Sequence, residues 1–129
     1  MLPMRAQRSG SVIHISSIRG FSPNPGRLAY CASKAAVLMM AKVTAGEWAP
    51  YGVRVNAVAP GVEATPMWKR DVELGLSDEQ AYIDLIPAGR LGDPDEVASL
   101  CSFLASDEAS YITGACVTID GGLTSIPAG

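Results

Sequence analysis

The 129-residue chain has no excess of positive charge: 13 acidic residues outnumber 10 basic ones, for a net charge of -3. It therefore has no basic stripe to neutralise phosphates, and no nucleic-acid partner is expected. Cysteine is scarce. Cys31, Cys101 and Cys116 are odd in number, far apart and form no C-x-x-C, which speaks against a disulfide framework and against a zinc site. Free thiols suit a reducing, cytoplasmic setting. The acidic clusters Asp71/Glu73 and Asp107/Glu108 have no ligand partners nearby, so no metal is expected. The single histidine, His14, lies in an apolar stretch, where a satisfied core residue is the simpler reading. No apolar run approaches the length of a bilayer span, and no membrane partner is expected. Met1 to Arg5 are not followed by the apolar segment of a secretory signal. The G-x-G-x-x-G turn that cradles a dinucleotide pyrophosphate is absent as well.

What remains is an apolar, core-forming composition, 48% hydrophobic with a mean hydropathy of +0.20 and room for one domain. Ser11 to Ser16 form a β-branched run between Gly10 and a Gly/Pro-rich loop at 20–27, the pattern of a buried strand. Leu28 to about Ala49 is free of proline and rich in Ala, Leu, Met and Lys, which predicts a long helix ended by Pro50. That helix is apolar on more than one face, so it should be covered on both sides, either within one domain or by another subunit. Val53 to Val58 predict a second strand, stopped by Pro60-Gly61. Residues 62–92 form a long insertion with weak helical stretches near 66–75 and 78–86. Connections of this length are commonly lids or binding loops. Asp93-Pro94-Asp95-Glu96 opens a helix to about Ser106, with a capping acid, proline in the first turn and acids at the positive end. Cys116 to Ile119 predict a third strand, and Ser125 to Gly129 a short frayed tail. Alternation of strands and helices implies parallel strands joined by right-handed crossovers. Three such strands leave open edges, and the gap lies before residue 11.

The chemistry concentrates at Tyr30-Cys31-Ala32-Ser33-Lys34. Positions four apart on a helix share a face, so the phenol and the ammonium can converge on one site. A cation about 5 Å from a phenol, at an effective dielectric near 20, favours the phenolate by about 3 kcal/mol. That draws the group into the range of proton transfer with an alcohol or carbonyl oxygen. The spacing alone is a weak signal, since any helix can carry such a pair on its surface. Ser16 and Ser17 add context, because they stand at the end of the first strand, where parallel sheets place ligands. Ser17 precedes Tyr30 by thirteen positions and could donate to a carbonyl oxygen. For Ser16, ordinary turn chemistry remains an open alternative. Arg19, Asn24, Met67 and Trp68 could face a substrate or simply pack in the loop and insertion. Cys31 points about 100° around the helix from Tyr30, so packing is its default.

Together these stretches, with Arg54-Val55-Asn56-Ala57-Val58-Ala59-Pro60-Gly61, Gly89-Arg90-Leu91-Gly92-Asp93-Pro94, Phe103 to Asp107 and Thr113-Gly114 through Asp120-Gly121-Gly122, resemble the classical short-chain dehydrogenase/reductase family in order and spacing. The resemblance covers nearly the whole chain. It implies an α/β, Rossmann-like doubly wound parallel sheet, of which residues 1–129 would be the C-terminal, catalytic half of an NAD(P)-binding domain with a substrate lid at 62–92. It implies that Tyr30 is the catalytic acid/base and that Ser17 orients the substrate oxygen. Lys34 would stabilise the phenolate and hold the ribose hydroxyls of the nicotinamide nucleotide. Pro60 and Gly61 would begin the turn under the nicotinamide, and Thr65 would hydrogen-bond the cofactor. Glu63 stands where the family usually has an aliphatic residue that contacts the carboxamide through its backbone, a departure that puts an acid beside the nicotinamide.

The expected activity is interconversion of an alcohol and a carbonyl with NAD or NADP, on a small-molecule substrate. The long 28–49 helix would mediate a homodimer or homotetramer. Because the glycine-rich turn and the family's Asn-Ala-Gly segment are missing, the chain reads as a fragment lacking the first half, with Met1 to Arg8 the tail of the preceding helix. The competing expectation is a truncated, catalytically silent binding or oligomerisation module.

Overall fold

A computed structural model describes residues 2–125. The tail expected at Ser125 to Gly129 lies outside them beyond Ser125. The chain runs α1 (Leu2–Gln7), β1 (Gly10–Ile15), α2 (Leu28–Trp48), β2 (Val53–Pro60), α3 (Pro66–Glu73), α4 (Glu79–Leu85), α5 (Pro94–Ala105) and β3 (Cys116–Ile119). The three strands are parallel in the order β1-β2-β3, with Gly10 opposite Val53 through Ile15 opposite Val58, and Ala57 opposite Cys116 through Pro60 opposite Ile119. This is a three-stranded parallel sheet with flanking helices, as expected.

β2 is the spine. Successive side chains on a strand alternate faces, and β2 is apolar on both. Val53, Val55 and Ala57 pack with Ala41 and Ala45 of α2, where the small alanines let helix and sheet approach closely. Val58 packs on the opposite face with Leu104 of α5 and Ala109. Asn56 is fully buried on that side. Its amide donates to the Ile112 carbonyl at 2.8 Å, and its side-chain oxygen accepts from the Ala115 N–H at 3.0 Å. Arg54 donates to the Leu104 and Ser106 carbonyls at 2.8 and 3.0 Å, satisfying acceptors that the end of α5 leaves open. At its other end α5 has the expected capping box: Asp93 accepts from Asp95 N–H, and Glu96 accepts from Asp93 N–H.

Three expectations are corrected. First, α2 is covered on one side only. Ala41 and Ala45 are its buried residues, while Met39, Met40 and Val43 are each more than half exposed. Burial of both faces within one domain is therefore not what this chain achieves. Second, Leu28–Tyr51 is long and apolar enough to cross a membrane by length and composition, with a mean hydropathy of 1.2. The same small residues that raise this value serve as its contact with β2. Third, His14 is half-buried on β1 rather than in the core, and its ring has no hydrogen bond among the described residues. β1 has no strand on its outer edge among the described residues, so the side of the strand away from β2 is not sealed.

Replacing Asn56 with Leu leaves the Ala115 N–H without its partner and the Ile112 carbonyl with only the longer bond from Arg54 at 3.4 Å. Each such loss costs about 1–3 kcal/mol, so urea unfolding of Asn56→Leu should show a loss of roughly 2–4 kcal/mol in a protein that stays folded. A loss near zero would mean that water satisfies this layer.

Candidate active site

The C-terminal ends of the parallel strands, at Ile15, Pro60 and Ile119, lie on one side of the sheet, the side where open α/β sheets bind ligands. A cavity of about 520 Å³ opens there. It brings together every site residue expected from the sequence: Ser17, Tyr30, Lys34, Pro60, Gly61, Glu63 and Thr65 all line it. Arg19, Asn24, Met67 and Trp68, for which packing was the alternative, line it too. Cys31 does not, in keeping with its position around the helix.

Lys34 is held at both ends. Its ammonium donates to the Ile15 carbonyl at 3.3 Å, where β1 stops. Its own carbonyl accepts from Ser16 Oγ at 2.8 Å. Ser16 is buried, and its hydroxyl staples α2 to the end of β1 instead of bonding its own turn. The ammonium lies 5.6 Å from the centre of the Tyr30 ring, close to the separation expected for residues one turn apart. Tyr30 is 43% exposed at the start of the helix, so water screens part of this interaction.

Ser17 is 6% exposed and begins the 3-10 turn Ile18–Gly20. Its Oγ accepts from the Arg19 N–H at 3.2 Å, which leaves the hydroxyl proton to be donated into the cavity. Gly61 donates to the Ile119 carbonyl at 2.9 Å, and a Cβ there would come within 2.8 Å of Asp120 Cα, so glycine lets the turn lie against the end of β3. Thr65 caps α3, its hydroxyl accepting from the Trp68 N–H at 3.2 Å.

Glu63 is the departure. The 62–92 insertion is closed at its base by a bridge between Glu63 and Gly92. A Cβ on Gly92 would run into the Glu63 carboxylate. One carboxylate oxygen is buried without a hydrogen-bond partner. Burial, reinforced by the nearby Glu96 and Asp93 carboxylates and opposed by Arg90, pushes the Glu63 carboxyl above its ordinary value. Arg90 is spent largely on Glu96, which it pairs with at 2.7 Å and pulls down to about 2. The Glu63 carbonyl accepts from the Thr65 N–H at 2.7 Å, so the backbone group left for an outside partner is the Glu63 N–H.

Other features escaped sequence reading. Arg27 and Asp71 approach to 3.7 Å, spanning from the loop before α2 to α3 across the cavity. Trp68 meets Tyr82 edge-on at 5.0 Å and donates to Glu79 at 3.0 Å, fastening α3 to α4. The aromatic pair and the charges were visible as residue types. Their partners depend on how the insertion folds back, which no local pattern reports.

The family model described as Enoyl-(Acyl carrier protein) reductase matches residues 1–124. The chain belongs to the classical short-chain dehydrogenase/reductase family. It corresponds to the C-terminal portion. It is 48% identical over 120 residues to the 3-oxoacyl-[acyl-carrier-protein] reductase FabG of Thermotoga maritima, covering 93% of this chain and 48% of that protein. It is 47% identical over 114 residues to the 2,5-dichloro-2,5-cyclohexadiene-1,4-diol dehydrogenase LinX of Sphingobium indicum, covering 88% and 44%. Among solved structures, a gluconate 5-dehydrogenase from Burkholderia cenocepacia in complex with NADP and tartrate superimposes with a TM-score of 0.88 at 33% identity, covering 98% of this chain and 49% of that one. ElxO with NADP bound gives 0.89 at 34% identity, covering 97% and 50%. The chain spans about half the length of the relatives it matches.

The raised carboxyl of Glu63 fixes the sign of a pH effect. A folded state that favours the neutral acid loses stability as the pH rises through the raised value, and pays nothing below the ordinary carboxylate range. Glu63→Gln should therefore melt above the parent at about pH 7, and the two should converge near pH 4. A melting difference that does not change with pH would place the Glu63 carboxyl in water.

Proposed function

We propose that this chain supplies the proton-transfer and nicotinamide-facing side of an NAD- or NADP-dependent alcohol/carbonyl oxidoreductase, with residues 62–92 as its substrate lid. The observation that carries this reading is the convergence of Ser17, Tyr30 and Lys34 on one cavity at the strand ends, with Lys34 pinned by Ile15 and Ser16. The Ser17 hydroxyl, its lone pair taken by the turn, donates to the substrate oxygen and orients it. Tyr30 gives a proton to that oxygen in reduction and takes one in oxidation. The Lys34 ammonium holds negative charge on the phenol as the proton leaves, the kind of fixed stabilisation that lowers a barrier without reorganisation.

The residues suit the nicotinamide side of a dinucleotide. Lys34 uses one N–H on Ile15, and an ammonium has three, which leaves donors for ribose hydroxyls. Gly61 lets the turn lie against Asp120, and Gly61, Glu63 and Thr65 line the same cavity. A bound nicotinamide would supply or accept the hydride. The pyrophosphate side has no counterpart among the described residues, which hold no glycine-rich turn.

The same reading includes assembly through α2, as a homodimer or homotetramer, because its Met39, Met40 and Val43 face is exposed. That face also favours the alternative of a silent binding or oligomerisation module. The cytoplasmic setting expected from Cys31, Cys101 and Cys116, all free thiols here, belongs to this proposal.

Mutation in the longest natural chain that carries this sequence separates the two readings. Tyr30→Phe should cut kcat at least about 100-fold, the scale of a general acid/base, while the Kd for the nucleotide stays within a few-fold. Lys34→Met should impair both kcat and nucleotide binding. Substantial turnover by Tyr30→Phe, or unchanged kinetics in Lys34→Met, would leave only the silent-module reading or a different catalytic group.

A further inference from the structure

Arg19 is a charge in this cavity that the proposed chemistry leaves unused. It stands two residues after Ser17 on the 3-10 turn Ile18–Gly20, a turn anchored by Ile18 at 1% exposure and by the Ser17 bond to the Arg19 N–H. One guanidinium nitrogen donates to the Pro23 carbonyl at 3.2 Å. A guanidinium carries five N–H donors in a rigid fork, so this bond holds the head group and leaves most of its donors unspent. The ion pairs among the described residues are Arg27–Asp71 and Arg90–Glu96, and neither involves Arg19.

The acids nearby do not balance it. Asp71 is opposed by Arg27, and the Glu63 carboxylate is turned against Gly92 at the base of the insertion. Among the described residues, the cations that line the cavity without an ion pair are therefore Lys34 and Arg19. Lys34 has its role on the phenol and nucleotide side. Arg19 has none, and a guanidinium held by one exposed hydrogen bond at the cavity wall is matched best by a planar, bidentate carboxylate.

Building on the oxidoreductase reading, we propose that Arg19 is a specificity residue that binds a carboxylate on the substrate, so that the enzyme acts on small hydroxy and oxo acids rather than on neutral alcohols or acyl thioesters. Arg19 and Ser17 line the same cavity, so a substrate that reaches both carries its carboxylate and its reacting oxygen in one small molecule. The cavity volume of about 520 Å³ suits a substrate of that size beside a nicotinamide. The lining also holds the apolar Ile15, Met67 and Val97 and the cations Arg27 and Lys34, of which Arg27 faces Asp71 and Lys34 faces Tyr30, which leaves Arg19 as the cation with no other assigned partner.

The test uses malonate, with malonamide as the neutral control, titrated calorimetrically into the longest natural chain that carries this sequence, loaded with its nicotinamide nucleotide. Malonate should bind at least about 10-fold more tightly than malonamide, the scale of one charge-assisted hydrogen-bonded pair. Arg19→Met should erase that difference, and Arg19→Lys should restore part of it. Turnover should follow in the same way: the ratio of kcat/KM for 3-hydroxybutyrate over its methyl ester should collapse in Arg19→Met, mainly through KM. Malonate binding no tighter than malonamide, or unaffected by Arg19→Met, would overturn the proposal. So would tight binding of inorganic phosphate with none of malonate. If Arg19→Met does not fold, the malonate and malonamide comparison on the parent protein decides. Tyr30-dependent turnover without Arg19-dependent malonate binding would sink the carboxylate and keep the oxidoreductase. Arg19-dependent binding with turnover that ignores Tyr30 would do the reverse.

Discussion

The site depends on the double tie between Lys34 and the end of β1. The Ser16 hydroxyl holds the Lys34 backbone and the Ile15 carbonyl holds its ammonium, so helix and strand end are locked in register at the residue that carries the charge. With that register set, Tyr30, one turn earlier, can only overlook the cavity, and Ser17, the next residue after the staple, can only begin the turn beneath it. A long flexible lysine would otherwise sample many positions. One hydrogen bond fixes its backbone and a second, at 3.3 Å, holds its ammonium at the strand end.

β2 makes the register possible. Because it is buried on both faces, it can carry α2 on one side and α5 on the other, with its end at Pro60-Gly61 level with the end of β1. The two faces are built differently. The α2 side is closed by alanines against valines, while the α5 side contains a polar layer in which Asn56 and Arg54 satisfy backbone groups of the chain leading to β3. The outward face of α2 and the outer edge of β1 have no equivalent cover among the described residues.

The strands, the long helix and the capped start of α5 were legible because each is stated locally: β-branched runs, an uninterrupted helical composition, and Asp93-Pro94 with Glu96 three beyond the cap. The convergence of Ser17, Tyr30 and Lys34 was legible because helical spacing and a strand end are also local. Ser16 was not, since a serine in a loop looks the same whether it bonds its own turn or a carbonyl eighteen residues away. What covers the second face of α2 was not legible, because apolar composition reports what a helix could bury and not what is there to cover it. His14 was misjudged for the same reason on the strand edge. The Glu63–Gly92 bridge and the Arg27–Asp71 contact come from the path of the insertion, which composition does not encode.

The residues proposed for proton transfer thus lie in residues 1–129, whereas a cradle for the pyrophosphate does not appear among the described ones. Calorimetric titration of NADPH and NADH into residues 1–129 alone and into the longest natural chain that carries them separates these contributions. The longer chain should bind one of the two nucleotides at micromolar Kd, and residues 1–129 alone should bind both at least about 100-fold more weakly, a deficit of about 2.7 kcal/mol. Micromolar binding by residues 1–129 alone would contradict this division of the site.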